Sequence, residues 1–129
     1  MAIHLKYTYF AKEASEAATF NRMIVEALQS RVSRGVLVTP EAHRESARGP
    51  EYWDAEVRIQ FANGNSDAAD ESAEARRLAD AMGAPWEKME DGSRVLAPGT
   101  GGFSSDFSLM TRAEMKLEER KSFLGKLFG

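Results

Sequence analysis

The chain contains no cysteine, and that one absence removes disulfides, thiolate metal sites and cysteine nucleophiles together. No window approaches the ~18 consecutive apolar residues of a membrane-spanning helix, so spanning by a helix is excluded. The opening residues Met1-Ala2-Ile3-His4-Leu5-Lys6 lack the basic segment followed by an apolar one that marks a secretory signal. The expected home is therefore the cytoplasm of a bacterium or a virus-infected cell. Histidine is scarce as well. His4 has no second histidine or carboxylate at ligand spacing, and His43 with Glu41 has no nucleophile or metal nearby in sequence, so both are expected to be plain surface residues.

What is present is an ordinary globular composition. With 129 residues, 43% apolar and 29% charged, the chain has the length of one domain and enough apolar content for one core. The net charge of -3 hides a division along the chain. Residues 1–53 sum to +1, residues 54–91 to -6 and residues 92–129 to +2. An acidic centre argues against nucleic acid as a partner, because affinity for phosphate backbones needs clustered Lys and Arg. It suits a basic protein partner.

The strongest periodic signal is Trp53-Asp54-Ala55-Glu56-Val57-Arg58-Ile59-Gln60-Phe61, in which apolar and polar residues alternate with period two. A one-residue slip would bury the polar set, so the register of this strand is strongly specified. It is expected to be the central rung of the sheet. Ile3, Leu5, Tyr7 and Tyr9 alternate in the same way and predict a first strand ending near Phe10. From Lys12 to Ser33, the three-and-four spacing of Ala17, Phe20, Ile24, Ala27, Leu28 and Val32 predicts an amphipathic helix, with Gly35 as its cap. Val36-Leu37-Val38, closed by Thr39-Pro40, predicts a short second strand, and 41–50 reads as a polar surface excursion.

Asn63-Gly64 signals a turn. The oxygen-bearing residues after it have an approximate calcium-loop spacing, but Ala68 stands where such a loop needs glycine. The better reading is an N-cap at Ser66 or Asp67, opening an acidic helix that carries Ala75, Leu78, Ala79 and Met82 and stops at Gly83. Ser93–Ala97 reads as a short strand after a turn at Asp91-Gly92. Pro98-Gly99-Thr100-Gly101-Gly102 lacks the following Lys of a phosphate loop and reads as a hinge, with Phe103 and Phe107 docking it. Thr111-Arg112-Ala113-Glu114 matches a capping box, flanked by Met110 and Met115 at staple spacing, and predicts a last helix.

Three landmarks stand in order: Tyr7-Thr8-Tyr9-Phe10 before a helix bearing Ala and Phe, the strand from Trp53 to Phe61, and the stretch Leu78–Glu87 with its Gly83 and Trp86. Over residues 5–90 they resemble the ribonuclease-activity regulator B family of small α+β domains. That resemblance implies a non-catalytic, protein-binding role; Ala84 replaces the family's usual second glycine, and no functional residue carries over.

The expected fold is α+β, a three- or four-stranded largely antiparallel sheet with two helices on one face, in a split βαβ or ferredoxin-like sandwich. Residues 1–97 would form this domain, 98–110 a Gly-rich hinge and 111–129 a C-terminal amphipathic helix. The expected function is a non-catalytic regulator, such as an inhibitor, adaptor or immunity-like protein, that offers Asp67, Asp70, Glu71, Glu74, Trp86, Glu87 and Glu90 to a protein partner. An aromatic groove lined by Tyr7, Tyr9 and Trp53 is the alternative, as a small ligand-binding domain or enzyme. Self-association through Leu117, Phe123, Leu124, Leu127 and Phe128 is a third. No catalytic residue, metal or cofactor is expected, and membrane contact is disfavoured because so few apolar residues make a weak anchor.

Overall fold

A computed structural model describes residues 2–61, 68–83, 86–88, 94–96 and 103–117. Strand β1 (Ala2–Phe10) leads into helix α1 (Ala14–Arg31), then β2 (Val36–Glu45), β3 (Tyr52–Phe61) and helix α2 (Ala68–Met82). Two short strands follow, β4 (Glu87–Lys88) and β5 (Arg94–Leu96), then a single 3-10 turn at Ser105–Phe107 and β6 (Met110–Leu117). The sheet order is β2-β3-β1-β6-β5-β4, with every neighbouring pair antiparallel. Four long strands make its body, and β5 and β4 extend one side. Since β1 and β2 both run antiparallel to the β3 between them, β1-α1-β2 is a split βαβ unit.

The core forms where the alternating faces of the strands meet the helices. Ile3, Leu5, Tyr7 and Tyr9 of β1 are buried, and opposite them lie Ile59, Val57, Ala55 and the half-buried Trp53 of β3. Ala17, Ile24 and Leu28 of α1 and Ala75, Leu78 and Met82 of α2 close over the same side. Each large aliphatic side chain so buried contributes roughly 1.5–3 kcal/mol, enough in sum to set the register. Gly35 adopts a positive φ of 86° in the turn into β2, while the helix itself is capped by Val32, whose N–H donates to the Leu28 carbonyl.

Three expectations need correction. The strand expected to be the central rung, β3, lies one place from the edge, and β1 has the long partners β3 and β6 on its two sides. The segment expected to be a polar excursion continues β2 through Pro40 as far as Glu45. A bulge explains why: Pro40 pairs with Val57 and Ala42 with Glu56, which leaves Glu41 as an extra residue and shifts the alternation by one. The third concerns the last element, since residues 110–117 form β6 rather than the start of a helix. Thr8 pairs with Arg112 but Tyr9 with Met110, so Thr111 is again an extra residue. Met110 and Ala113 both face the core across that bulge, and their separation imitates helical spacing. Residues 118–129, with Phe123, Leu124, Leu127 and Phe128, lie outside the described residues, and Leu117 packs against the core from the end of β6. Within the expected hinge, Phe107 is fully buried, and Ser104 donates its N–H to the Met82 carbonyl and its hydroxyl to that of Ala81, satisfying the end of α2.

The outer edge of β2 is closed by two devices. Gln29 of α1 donates its Nε2 to the Val36 carbonyl at 2.9 Å and accepts the Val38 N–H at 2.9 Å, so its amide serves as a fragment of a further strand. Two residues on, Pro40 has no N–H to expose. Replacing Gln29→Ala is expected to cost about 1 kcal/mol in urea unfolding and to increase self-association in sedimentation, because both backbone groups return to a free edge. An unchanged midpoint and an unchanged sedimentation profile would contradict this role.

Candidate functional site

Both helices lie on one side of the four long strands, and no described element packs on the other. Side chains that alternate away from the core line up there in rows across the strands. One row runs Arg44, Asp54, Thr8, Arg112, and the next Ala42, Glu56, Lys6, Glu114. Thr8 donates its hydroxyl to Asp54 Oδ1 at 2.7 Å. Glu56 accepts from Arg44 Nη1 at 3.1 Å and stands 3.9 Å from Lys6 Nζ. At the far end, His4 Nδ1 lies 3.8 Å from Glu41, the residue expelled by the bulge. Exposed pairs of this kind are worth about 0–1 kcal/mol each, so the face is not what holds the fold together.

Short side chains in the middle and long ones around them give this face its relief. Thr8 and Asp54 form the floor of a depression of about 150 Å³, and Lys6, Arg44, Arg112 and Glu114 rise around it, with Arg48 reaching in from the β2–β3 hairpin loop. Among the described residues no ion pair engages Arg48, Asp54, Arg112 or Glu114.

On the helix side, the bulge at Glu41 turns His43 inward beside Ala55. Its ring stacks on Trp53, with centroids 5.3 Å apart, and on Tyr9 at 5.9 Å. The Tyr9 hydroxyl is hydrogen-bonded to both the Ala17 carbonyl, at 2.7 Å, and His43 Nε2. A carbonyl can only accept, so Tyr9 gives its proton to Ala17 and His43 Nε2 carries the hydrogen that points back. Tyr7 donates to Asn21 Oδ1 of α1. Burial pushes both phenols well above the usual tyrosine range, with the neighbouring Tyr9 adding to the effect at Tyr7, and burial lowers the His43 pKa from its ordinary 6.5. His43 is exposed, as the sequence predicts; what the sequence does not show is its stack on Trp53 and Tyr9, because the bulge leaves no periodic mark.

The residues singled out from the sequence fall in different places. Tyr7 and Tyr9 are 2% and 0% exposed and belong to the core, and Tyr7 also borders the depression over Thr8. Trp53 is half-buried, donates its Nε1 to the Ala11 carbonyl at 3.3 Å and lines a separate, open depression of about 460 Å³ with Lys12, Pro50 and Tyr52. The acidic helix turns much of its charge inward: Glu71 and Glu74 are 1% and 3% exposed, and Glu74 accepts the Ser33 N–H at 3.0 Å. Asp70 faces solvent. Trp86 is half-buried, packs on the core and donates its Nε1 to the Ala79 carbonyl at 3.0 Å. Asp67 and Glu90 lie outside the described residues, and Glu87 contributes the backbone of β4.

No family model, curated protein or solved structure matches the chain. The resemblance to ribonuclease-activity regulator B thus stands on its three sequence landmarks alone. No group of three or more potential metal ligands occurs among the described residues, and no helix among them is long and apolar enough to cross a membrane. Nothing in the arrangement points to catalysis.

Two measurements check this account. Glu74→Ala is expected to destabilise the fold by about 1–3 kcal/mol in denaturant, because it leaves the Ser33 N–H without its acceptor. For His43, the folded form takes up a proton less readily than the unfolded one. The unfolded chain therefore binds more protons below about pH 6.5, and stability falls as pH drops from there through the lowered folded value. His43→Asn should remove that part of the pH slope, and an NMR titration should place the His43 midpoint below the ordinary value; a midpoint at or above it would contradict the stacking of the ring on Trp53 and Tyr9.

Proposed function

We propose that this chain is a non-catalytic protein-binding regulator, an inhibitor or adaptor, which reads its partner with the open face of its sheet. The observation that carries this reading is that, among the described residues, no helix covers one side of the four long strands, and that side bears closely spaced groups of both charges. Such a surface gives orientation and partner choice more than raw affinity, since like-charge contacts with a wrong partner are penalised. The sheet face is a better candidate than the acidic helix, whose Glu71 and Glu74 are spent on internal contacts.

Placing a photo-crosslinking residue at Thr39 on the open face, and separately at Asp70 on α2, tests the choice in cells. Crosslinks from Thr39 and none from Asp70 are expected. Crosslinks from Asp70 alone would return the role to the helix, and a failure of both sites would overturn the protein-binding reading.

A further inference from the structure

The depression over Thr8 deepens that reading and rests on it. Its size limits what can enter. At about 150 Å³ it is smaller than the roughly 300–1,000 Å³ of small-molecule and cofactor sites. One or two side-chain ends fit; a cofactor does not.

Charge then limits the chemistry. Glu56 is already shared between Lys6 and Arg44, so those three groups offer little to a newcomer. The remaining charges lining the depression are two guanidinium groups, Arg48 and Arg112, and two carboxylates, Asp54 and Glu114, none of them in an ion pair among the described residues. One oxygen of Asp54 is taken by the Thr8 hydroxyl, which fixes the carboxylate at the floor. A purely anionic ligand would meet Asp54 and Glu114, and a purely cationic one would meet Arg48 and Arg112.

We infer that this depression accepts a partner segment carrying an acidic and a basic side chain close together, the carboxylate going to Arg112 and Arg48 and the cation to Asp54 and Glu114. Arginine suits the first task because its planar fork can meet a carboxylate with two parallel hydrogen bonds. The site thus selects for alternation of charge, not for net charge. Lys6 and Glu56, being paired with neighbours, hold the rim rather than contact the segment.

Three synthetic peptides of equal length serve as probes: alternating Glu and Lys, all Glu, and all Lys. At low salt, where exposed charges are least screened, titration into the ¹⁵N-labelled full chain should move the amide signals of Thr8, Asp54 and Arg112 most with the alternating peptide. Arg112→Gln should weaken the alternating peptide roughly two- to fivefold, the range of a single exposed charge contact, and shift preference toward all Lys. Asp54→Asn keeps an acceptor for Thr8 and should shift preference toward all Glu. Equal responses to all three peptides, or variants that leave the ranking unchanged, would overturn the charge matching while the crosslinking at Thr39 could still succeed. Absence of any shift on the sheet face at low salt would overturn it as well. A failure of Thr39 to crosslink, with the peptide ranking intact, would instead remove the sheet face as the partner-binding surface and leave a selective depression without its assigned role.

Discussion

The structure depends on the pairing of β1 with a long strand on each side. Nine residues of β1 register against β3 and seven against β6, so every other element is placed relative to this strand. Its inward residues, Ile3, Leu5, Tyr7 and Tyr9, are shared by both helices, while its outward residues, His4, Lys6 and Thr8, lie along the middle of the open face. A single alternating sequence therefore serves stability and surface chemistry together. A slip of one residue would exchange the two sets and lose both.

Much of this was legible because period-two and three-and-four spacings report burial directly. β1, α1, β3 and the body of α2 follow from the spacing of Ile3 to Tyr9, Ala17 to Leu28, Trp53 to Phe61 and Ala75 to Met82. Two of the three corrected expectations share one physical cause. Each lies at a bulge, Glu41 in β2 and Thr111 in β6, where one extra residue shifts the alternation. At β6 the disturbance had a second effect, since Thr111-Arg112-Ala113-Glu114 satisfies a local capping pattern that long-range pairing with β1 overrides. The same bulge in β2 sets the exposed His43 against Tyr9 and Trp53 on the helix side, a contact that the sequence pattern does not show.

Charge was the least legible quantity, because it adds along the chain but acts in space. Among the described residues, the acidic groups of the segment of net -6 are divided between the helix side and the sheet face. Glu71 and Glu74 turn inward, and Asp54 and Glu56 are interleaved with Lys6, Arg44 and Arg112, which come from the less acidic segments on either side. Folding thus converts a separation of charge in sequence into a mixture on the sheet face. This is why the proposed partner is defined by alternating charge and not by an excess of base.

The way the molecule treats its exposed backbone bears on which surface is offered. Gln29 and Pro40 blunt the outer edge of β2, and the opposite side ends in the two-residue β4. Both are ways of making strand addition unfavourable. Among the described residues the face has no such cover: neither helix packs there, and charged groups stand around a floor fixed by the hydrogen bond from Thr8 to Asp54. A partner that added a strand would need only backbone groups and would be read weakly by side-chain identity. One that lies across the face must match Arg112, Arg48, Asp54 and Glu114 in position and sign, so guarding the edge while leaving the face open favours discrimination among partners over indiscriminate pairing.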